Sequence, residues 1–316
     1  MSLLPAALRP GGLTWTVLTT HRAVLRIWLG CLVLGAAALV ALHFYGAHVV
    51  EASDACSAGD LGCDYDVGKQ IETYRFTLAL VQGLLAFLPL AVAGFAGAAL
   101  VGREMDNGTA ALAWTQSVTP VRWLVGKLTL PALLLVAGTI PLTLLVRWAD
   151  DRDFAPEWHG VNPYLATGPT GTAYLLLALV VGAVAGLLLR RTLPALAAGV
   201  GFTGAAMILG AVFRFDLWPK VFVSGNHTGL ANNAYIAETG GVTASGERFS
   251  FDRCFRVPQP EFDVRSCLEK YDADHYVLFH PSSHYWPLQL VETGIVLALA
   301  AALVTAAFWL LRRRLP

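Results

Sequence analysis

Long apolar runs alternate with short polar segments along this chain, and six of the runs are long enough to cross a membrane. A helix needs about 20 apolar residues to span the hydrocarbon core of a bilayer. Inside lipid, the backbone groups of such a run must bond to one another, which favours a helix. The pattern predicts an all-α integral membrane protein with six transmembrane helices, at 23–46, 74–101, 124–148, 171–189, 193–213 and 287–311.

The composition is typical of that class. Apolar residues make up 56% of the chain and charged residues only 14%, whereas a soluble domain has about 25% charged residues. The formal net charge is zero, and basic residues gather at the ends of the apolar runs, so the lipid bilayer is a predicted partner and nucleic acid is not. The first run is too long for a signal-peptide core and is expected to remain a membrane span.

The distribution of charge predicts the orientation in the membrane. The segments on the same side as the N-terminus hold 11 of the 22 lysines and arginines but only two of the 22 acids. Since basic residues favour the cytoplasm, both termini are predicted to be cytoplasmic. Arginine, alanine and leucine are abundant and lysine is rare, which suggests a GC-rich bacterium and therefore its plasma membrane. The segments in question are 1–26, 102–127, 190–192 and 312–316.

The polar segments divide the chain into regions. Residues 1–22 are predicted to form a cytoplasmic interfacial helix, with a disordered tail as the alternative for 1–12. The region 23–214 holds the first five helices and a cytoplasmic loop, 102–123. The external segment 47–73 is acidic and expected to be mostly loop. Residues 287–316 form the sixth helix and a basic tail.

The segment between the fifth and sixth helices is different in kind. Residues 215–286 are too many for a simple turn. Short apolar runs at 221–223 and 276–279 suggest strands. We predict a small mixed extracellular subdomain there.

Four of the five cysteines form two local pairs in predicted external segments. Disulfides persist in that compartment, so Cys56–Cys63 and Cys254–Cys267 bridges are predicted. Cys31 lies in the first span and is expected to be free and buried as a small apolar residue. A zinc site is a weaker interpretation, because no C-x2-C spacing occurs.

Few ionisable residues suggest chemistry. Glu292 is the only acid well inside an apolar run, which makes it a functional candidate; the structural alternative is that it reaches water or a neighbouring arginine. The three histidines His275, His280 and His284 have an H-x3-H spacing between the last two members, but no acid completes a metal site, so they are interpreted as surface or interfacial residues. No phosphate-binding loop occurs, so this chain is not predicted to hydrolyse ATP by that route.

The cytoplasmic loop contains its own helix signals. Asn107-Gly108 is a good helix stop, and Thr119-Pro120 offers an N-cap followed by proline at the first helical position. The stretch between them, 109–118, is long enough for a short helix. The alternative is a plain interfacial turn anchored by Trp114 and Trp123.

Two strings in the sequence resemble a known family. The loop looks like the one between the second and third spans of actinobacterial ABC-2-type transporter permeases, and the end of the chain is similar to the same group. The matching residues are Arg103-Glu104, Gly108-Thr109, 112–119 (LAWTQSVT), Arg122-Trp123-Leu124, Lys127, 285–294 (YWPLQLVETG) and 312–314 (RRR).

The resemblance implies a function and partners. It implies the membrane subunit of an ABC exporter, with the loop docked on a separate ATPase subunit that holds ATP and Mg²⁺. This chain would carry no cofactor. It would work beside a second permease subunit in a homodimer, with the first and fifth spans facing that partner. The coupling residues implied are Arg103, Glu104, Gly108, Thr109, Trp114, Gln116 and Arg122.

Two alternatives from other classes stay open. The 215–286 subdomain can be the active site of a membrane-bound enzyme, although no nucleophile motif supports this, or the ligand-binding part of a sensor or immunity protein. The cargo of an exporter is not readable from the sequence, since a small molecule, a lipid and a peptide all fit.

Overall fold

The computed structural model describes residues 22–56, 61–116, 119–150, 157–225, 233–251 and 264–314, and most of them are helical. The predicted interfacial helix at 1–22 lies outside the described residues except for Arg22. The helices are α1 (Arg22–Ala55), α2 (Leu61–Phe95), α3 (Arg103–Asp106), α4 (Thr109–Gln116), α5 (Pro120–Ala149), α6 (Val161–Thr167), α7 (Pro169–Leu189), α8 (Thr192–Phe213), α9 (Val264–Lys270) and α10 (Tyr285–Arg314).

Six helical segments in the described part of the chain are long and apolar enough to cross a membrane. They correspond to α1, α2 with its continuation, α5, α7, α8 and α10, so the predicted number of spans is confirmed. The chain is therefore a multi-pass membrane protein.

The prediction that 47–73 is mostly loop is wrong. Helix α1 continues to Ala55 and α2 begins at Leu61. The length of an apolar run predicts only the part of a helix that lies in lipid. The helix itself can continue beyond that run into water, and no proline interrupts it here. Asp64 lies in the first turn of α2, where a carboxylate stabilises the helix through its interaction with the helix dipole. The predicted Cys56–Cys63 disulfide is present and joins the two helix ends.

Cys31 is a free thiol, but it is exposed on α1 rather than buried. The expectation of burial is wrong because α1 makes few contacts within this chain. Of the 18 consecutive residues that form the most apolar stretch of α1, only 6% are buried. In a membrane, an apolar side chain on such a face meets lipid or another protein.

The chain divides into two compact units. Unit 1 comprises residues 1–156, 160–209 and 293–316. Helix α7 lies at its centre, since 67% of the residues in its most apolar stretch are buried. Close packing there depends on glycine. A Cβ on Gly182 would clash with the carbonyl oxygen of Ala93, and one on Gly97 would lie 2.7 Å from the carbonyl oxygen of Ala195. Helices α2, α7 and α8 thus meet backbone to backbone.

Unit 2 comprises residues 157–159 and 210–292 and contains a four-stranded antiparallel sheet. The strands are β1 (Val221–Ser224), β2 (Tyr235–Thr243), β3 (Arg248–Ser250) and β4 (Ala273–His280), in the order β1-β4-β2-β3. The strands predicted at 221–223 and 276–279 lie in β1 and β4. Helix α9 packs near β4, and its Cys267 shares a small core with Phe249.

Cys267 is disulfide-bonded, but Cys254 lies outside the described residues. The Cys254–Cys267 bridge therefore stays a prediction.

Candidate functional site

The loop begins with an unusual helical segment. Between α2 and α3, residues Ala96–Gly102 are wound as a π-helix. The backbone N–H of Arg103 donates to the carbonyl of Ala98, five residues earlier. Five of the seven residues are buried, so the wide turn is packed inside unit 1. π-Helical turns are rare and frequently mark functional sites.

A tight turn then reverses the chain. Helix α3 ends at Asp106, and Gly108 has a φ of 71°, a left-handed conformation that glycine adopts without strain. The hydroxyl of Thr109 donates to the carbonyl of Glu104 over 3.3 Å. The predicted helix stop is confirmed.

The short helix predicted for 109–118 is present as α4, with residues 117–118 outside the described part of the chain. The alternative of a plain interfacial turn is therefore wrong. Thr119 caps α5 as predicted, since its side chain accepts from the backbone N–H of Arg122 over 3.3 Å, with Pro120 at the first helical position.

Glu104 faces inward from the loop. One of its carboxylate oxygens accepts from the indole N–H of Trp123 over 3.2 Å, and the other forms an ion pair with Lys127. The side chains of Lys127 and Glu104 retain only 5% and 27% exposure. A charge that is buried in this way needs its partner, so Glu104 ties α3 to α5.

Trp114 also faces inward. Its ring meets that of Trp123 edge to face, with 5.7 Å between the ring centroids, and it packs against the core cluster that contains Leu124 and Leu311. Its indole N–H is buried and has no hydrogen-bond acceptor among the described residues. Trp114 thus anchors α4 to the helices around it in unit 1.

Asp106 joins the loop to another membrane helix. One carboxylate oxygen accepts from the backbone N–H of Thr192 over 3.3 Å and from its hydroxyl over 3.0 Å. Thr192 is the first residue of α8, so a carboxylate from α3 satisfies a free N–H at the start of that helix.

Four of the other residues that the resemblance implies face solvent. Arg103, Gly108, Thr109 and Arg122 are exposed, and Leu112 on α4 is 60% exposed. The side chain of Gln116 lies outside the described part. Of the seven residues that the resemblance implies, four are therefore available at the surface, while Glu104 and Trp114 hold the loop in place.

This arrangement of membrane helices around a braced loop can be compared with known proteins. A family model described as ABC-2 membrane transporter related matches residues 29–214, more than half of the chain. The chain belongs to this family. No curated protein and no solved structure gives a significant match.

The family match and the six apolar helices together support a membrane transporter permease. The match covers the π-helical segment, the loop and the first five membrane helices. Sequence reasoning misses Asp106, and it includes Lys127 in the matching string without predicting its ion pair. Their partners are 86 and 23 residues away, and no local signal announces them.

A second buried charge pair lies in unit 2 of the permease. Arg214 donates to Glu292 through Nε over 2.8 Å and through a terminal nitrogen over 3.4 Å, and both side chains are almost fully buried. This contact agrees with the structural alternative for Glu292, which predicts that Glu292 reaches water or a neighbouring arginine. The pair joins the end of α8 to α10.

The histidines of unit 2 differ from expectation. His280 is the last residue of β4 and is fully buried. Of the two predicted positions, surface or interfacial, the surface one is therefore wrong for His280. Its Nε2 lies 2.9 Å from the carbonyl of Phe215, and its Nδ1 lies 3.0 Å from Nδ1 of His284. Since a carbonyl only accepts, Nε2 carries the proton and Nδ1 accepts from His284.

Burial is the main cause that lowers the pKa of His280, and the proximity of His284 acts in the same direction. The hydrogen bond to Phe215 opposes them. On the same strand, burial and a hydrogen bond to Glu238 raise the pKa of Tyr276 to about 12. Both side chains are therefore neutral at pH 7. Among the described residues, no group of three potential metal ligands occurs.

Proposed function

We propose that this chain is the transmembrane permease subunit of an ABC exporter, energised by a separate ATPase subunit that docks on the 102–123 loop. In this proposal both termini and the loop are cytoplasmic, unit 2 is extracellular, and the membrane is a bacterial plasma membrane. The cargo is a small molecule, a lipid or a peptide.

The bracing of the loop is the observation that carries the proposal. Glu104 ties the loop to α5 through Lys127, and Asp106 ties it to the first residue of α8 through two hydrogen bonds. A force applied to the exposed face of α4 would therefore reach two membrane helices directly. A passive interfacial turn has no need of a buried ion pair.

The mechanism then needs two steps. Closure of the ATPase subunits pushes on the surface that carries Arg103, Thr109, Leu112 and Arg122. The braced loop moves as one piece with the ends of α5 and α8, and the close backbone packing at Gly97 and Gly182 carries the shift into α7. Such packed helices move by shear rather than by bending.

The proposed second permease subunit fits the least covered helices. In their most apolar stretches, only 6% of the residues of α1 and 11% of those of α8 are buried within the chain. These are the lowest values among the six membrane helices. On α8, the exposed residues Ala197, Gly201 and Ala205 have the small-xxx-small spacing that lets membrane helices approach closely. We propose a homodimer with α8 at its interface.

The ATPase partner is tested by purification from the native membrane. Tagged wild-type chain should recover a nucleotide-binding subunit in mild detergent. Arg122→Glu, which changes only an exposed residue, should reduce that recovery at least tenfold while membrane insertion is unchanged, because surface changes cost under about 0.5 kcal/mol of stability. Arg312→Glu, an exposed reversal on α10, is the matched control and should have little effect.

Repeated failure to recover an ATPase, with no ATP-dependent transport in reconstituted vesicles, would contradict the exporter. The sensor and membrane-enzyme alternatives would then be favoured.

The dimer has its own test. A Cβ added at Gly201 would meet no atom of this chain within 4 Å, and the same is true of Gly294 on α10. Gly201→Leu should therefore fold normally but shift the protein to a monomer in native mass spectrometry, whereas Gly294→Leu should remain dimeric. An unchanged dimer in Gly201→Leu would remove α8 from the interface.

A further inference from the structure

We propose that the pocket beside Trp114 and Arg190 binds the phosphate headgroup of an anionic phospholipid. The pocket lies between α4, α7 and α10 of unit 1, and most of its lining is apolar. Its polar members are Trp114 and Arg190. This inference concerns the permease by itself and does not depend on the proposed ATPase partner.

The first observation is the unsatisfied donor. The N–H of a buried tryptophan usually has a hydrogen-bond partner, and leaving a donor without one costs about 1–3 kcal/mol. Trp114 lines the pocket, and its N–H has no acceptor among the described residues. A ligand oxygen in the pocket would supply the missing acceptor.

The second observation is the backbone of Arg190. This residue ends α7 with φ 50° and ψ 24°, a left-handed conformation. Glycine is the usual residue at that position of a helix end, because a side chain there is strained. Arg190 adopts this strained conformation, and it adds a positively charged residue to the pocket lining. In the described part of the chain, Arg190 has no ion-pair partner.

The third observation is the composition of the surroundings. Among the residues that the structure describes, no acid lines the pocket, whereas Val184, Leu187 and Leu310 do. Arg191 and Arg312, each next in sequence to a lining residue, are exposed. Because the pocket is mostly apolar and is at the ends of membrane helices, a lipid that combines an anionic headgroup with acyl chains fits it. Basic pockets between membrane helices bind anionic lipid headgroups in this way.

The test is lipid binding by the purified full-length chain in detergent, measured by native mass spectrometry with titrated dioleoyl phosphatidylglycerol. Wild-type protein should bind it saturably and at least tenfold more tightly than dioleoyl phosphatidylcholine. Arg190→Gly removes the cation and relieves the backbone strain, so it should fold at least as stably as wild type. Trp114→Phe keeps an aromatic side chain, although a smaller one, and removes the N–H donor. Each change should weaken phosphatidylglycerol binding by about tenfold.

Arg191→Gln is the matched control, because it removes the same charge from the neighbouring residue, which does not line the pocket. It should weaken binding by less than about threefold. Equal weakening by Arg190→Gly and Arg191→Gln, with none by Trp114→Phe, would reduce the binding to general surface charge and overturn the site. Inorganic phosphate or glycerol phosphate that displaces the lipid at equal concentration would identify a soluble phosphate ligand and overturn the lipid assignment.

Discussion

At the scale of single residues, the ion pair between Glu104 and Lys127 makes a sharp prediction. Glu104→Gln leaves the buried ammonium without a counter-charge and should destabilise the protein by about 3 kcal/mol, the lower value for a buried pair because Glu104 keeps 27% exposure. Replacing both residues, as Glu104→Gln with Lys127→Met, should recover much of the loss. Thermal unfolding in detergent measures both effects.

Arg103→Gln is the control for that experiment, since Arg103 is the exposed neighbour of Glu104. It should change stability by less than about 0.5 kcal/mol. A double variant that is no more stable than Glu104→Gln alone would show that the carboxylate matters for some reason other than pairing with Lys127.

His280 predicts a dependence on pH. Because the pKa of His280 is lowered in the folded state, the unfolded chain binds a proton more readily as the pH falls through about 6.5. The stabilising contribution of the neutral imidazole is present above that pH and is lost below it. The protection factors of the β1 and β4 amides, which are corrected for the intrinsic pH dependence of exchange, should therefore fall as the pH is lowered from about 7.5 to 5.5.

His280→Gln keeps an N–H for the carbonyl of Phe215 and should remove most of this dependence. His48→Gln, at a histidine on α1 whose side chain is 80% exposed, should leave it intact. The same pH profile in the His280 variant would assign the effect to another group.

The residues whose partners are close in sequence are the ones that sequence reasoning places correctly. Thr119 caps its helix and Gly108 ends one because those roles depend on a few adjacent residues. The resemblance assigns Glu104 to the coupling surface, yet its carboxylate faces Lys127 and Trp123. A spacing of 23 residues across a helix, a turn and a second helix contains no periodic signal that indicates this contact.

At the scale of helices and strands, backbone packing at Gly182 predicts that even a methyl group is too large. Gly182→Ala forces the new carbon against Ala93 and within 2.8 Å of the backbone nitrogen of Gly97, and overpacking of this kind costs about 1–3 kcal/mol. Gly294→Ala, where the space is open, should be neutral or slightly stabilising. The midpoint of thermal unfolding distinguishes the two, and equal midpoints would mean that α7 can move away.

The apolar runs identify the membrane helices because burying backbone in lipid leaves few alternatives. Their ends are harder to predict. The polar ends of α1 and α2 continue through an acidic stretch that the hydrophobic pattern treats as loop. The π-helical segment has the apolar sequence AGAALVG, which fits an α-helix equally well. Its widened turn arises from tertiary packing, which local pattern does not contain.

At the scale of the whole molecule, the charge asymmetry predicts the orientation, and thiol labelling tests it. With Cys31 replaced by alanine, a cysteine introduced at Asn107 should be labelled by an impermeant reagent only after the cells are opened. A cysteine at Ala244 in unit 2 should be labelled in intact cells, since both positions are exposed. Labelling of the Asn107 position in intact cells would invert the topology.

The unit that follows the fifth span is only partly predictable. Its two β-rich runs lie in β1 and β4, but the apolar pattern misses β2, because Glu238, Gly240 and Gly241 interrupt any alternation. The β2 strand also contains an irregularity between Ile236 and Glu238. Its pairing with β4 joins residues that are distant in sequence, so the sheet order is a property of the folded unit.

The π-helical segment Ala96–Gly102 has a mechanical consequence for the loop that follows it. Hydrogen bonds to the fifth residue accommodate about one residue more than those of an α-helix. If the segment rewound as an α-helix, everything after it would rotate about the helix axis by roughly 100°, the step of one residue. Glu104 and Asp106 would then turn away from Lys127 and Thr192. Those contacts therefore oppose the rewinding of the π-helical segment, and their loss would allow α3 to rotate.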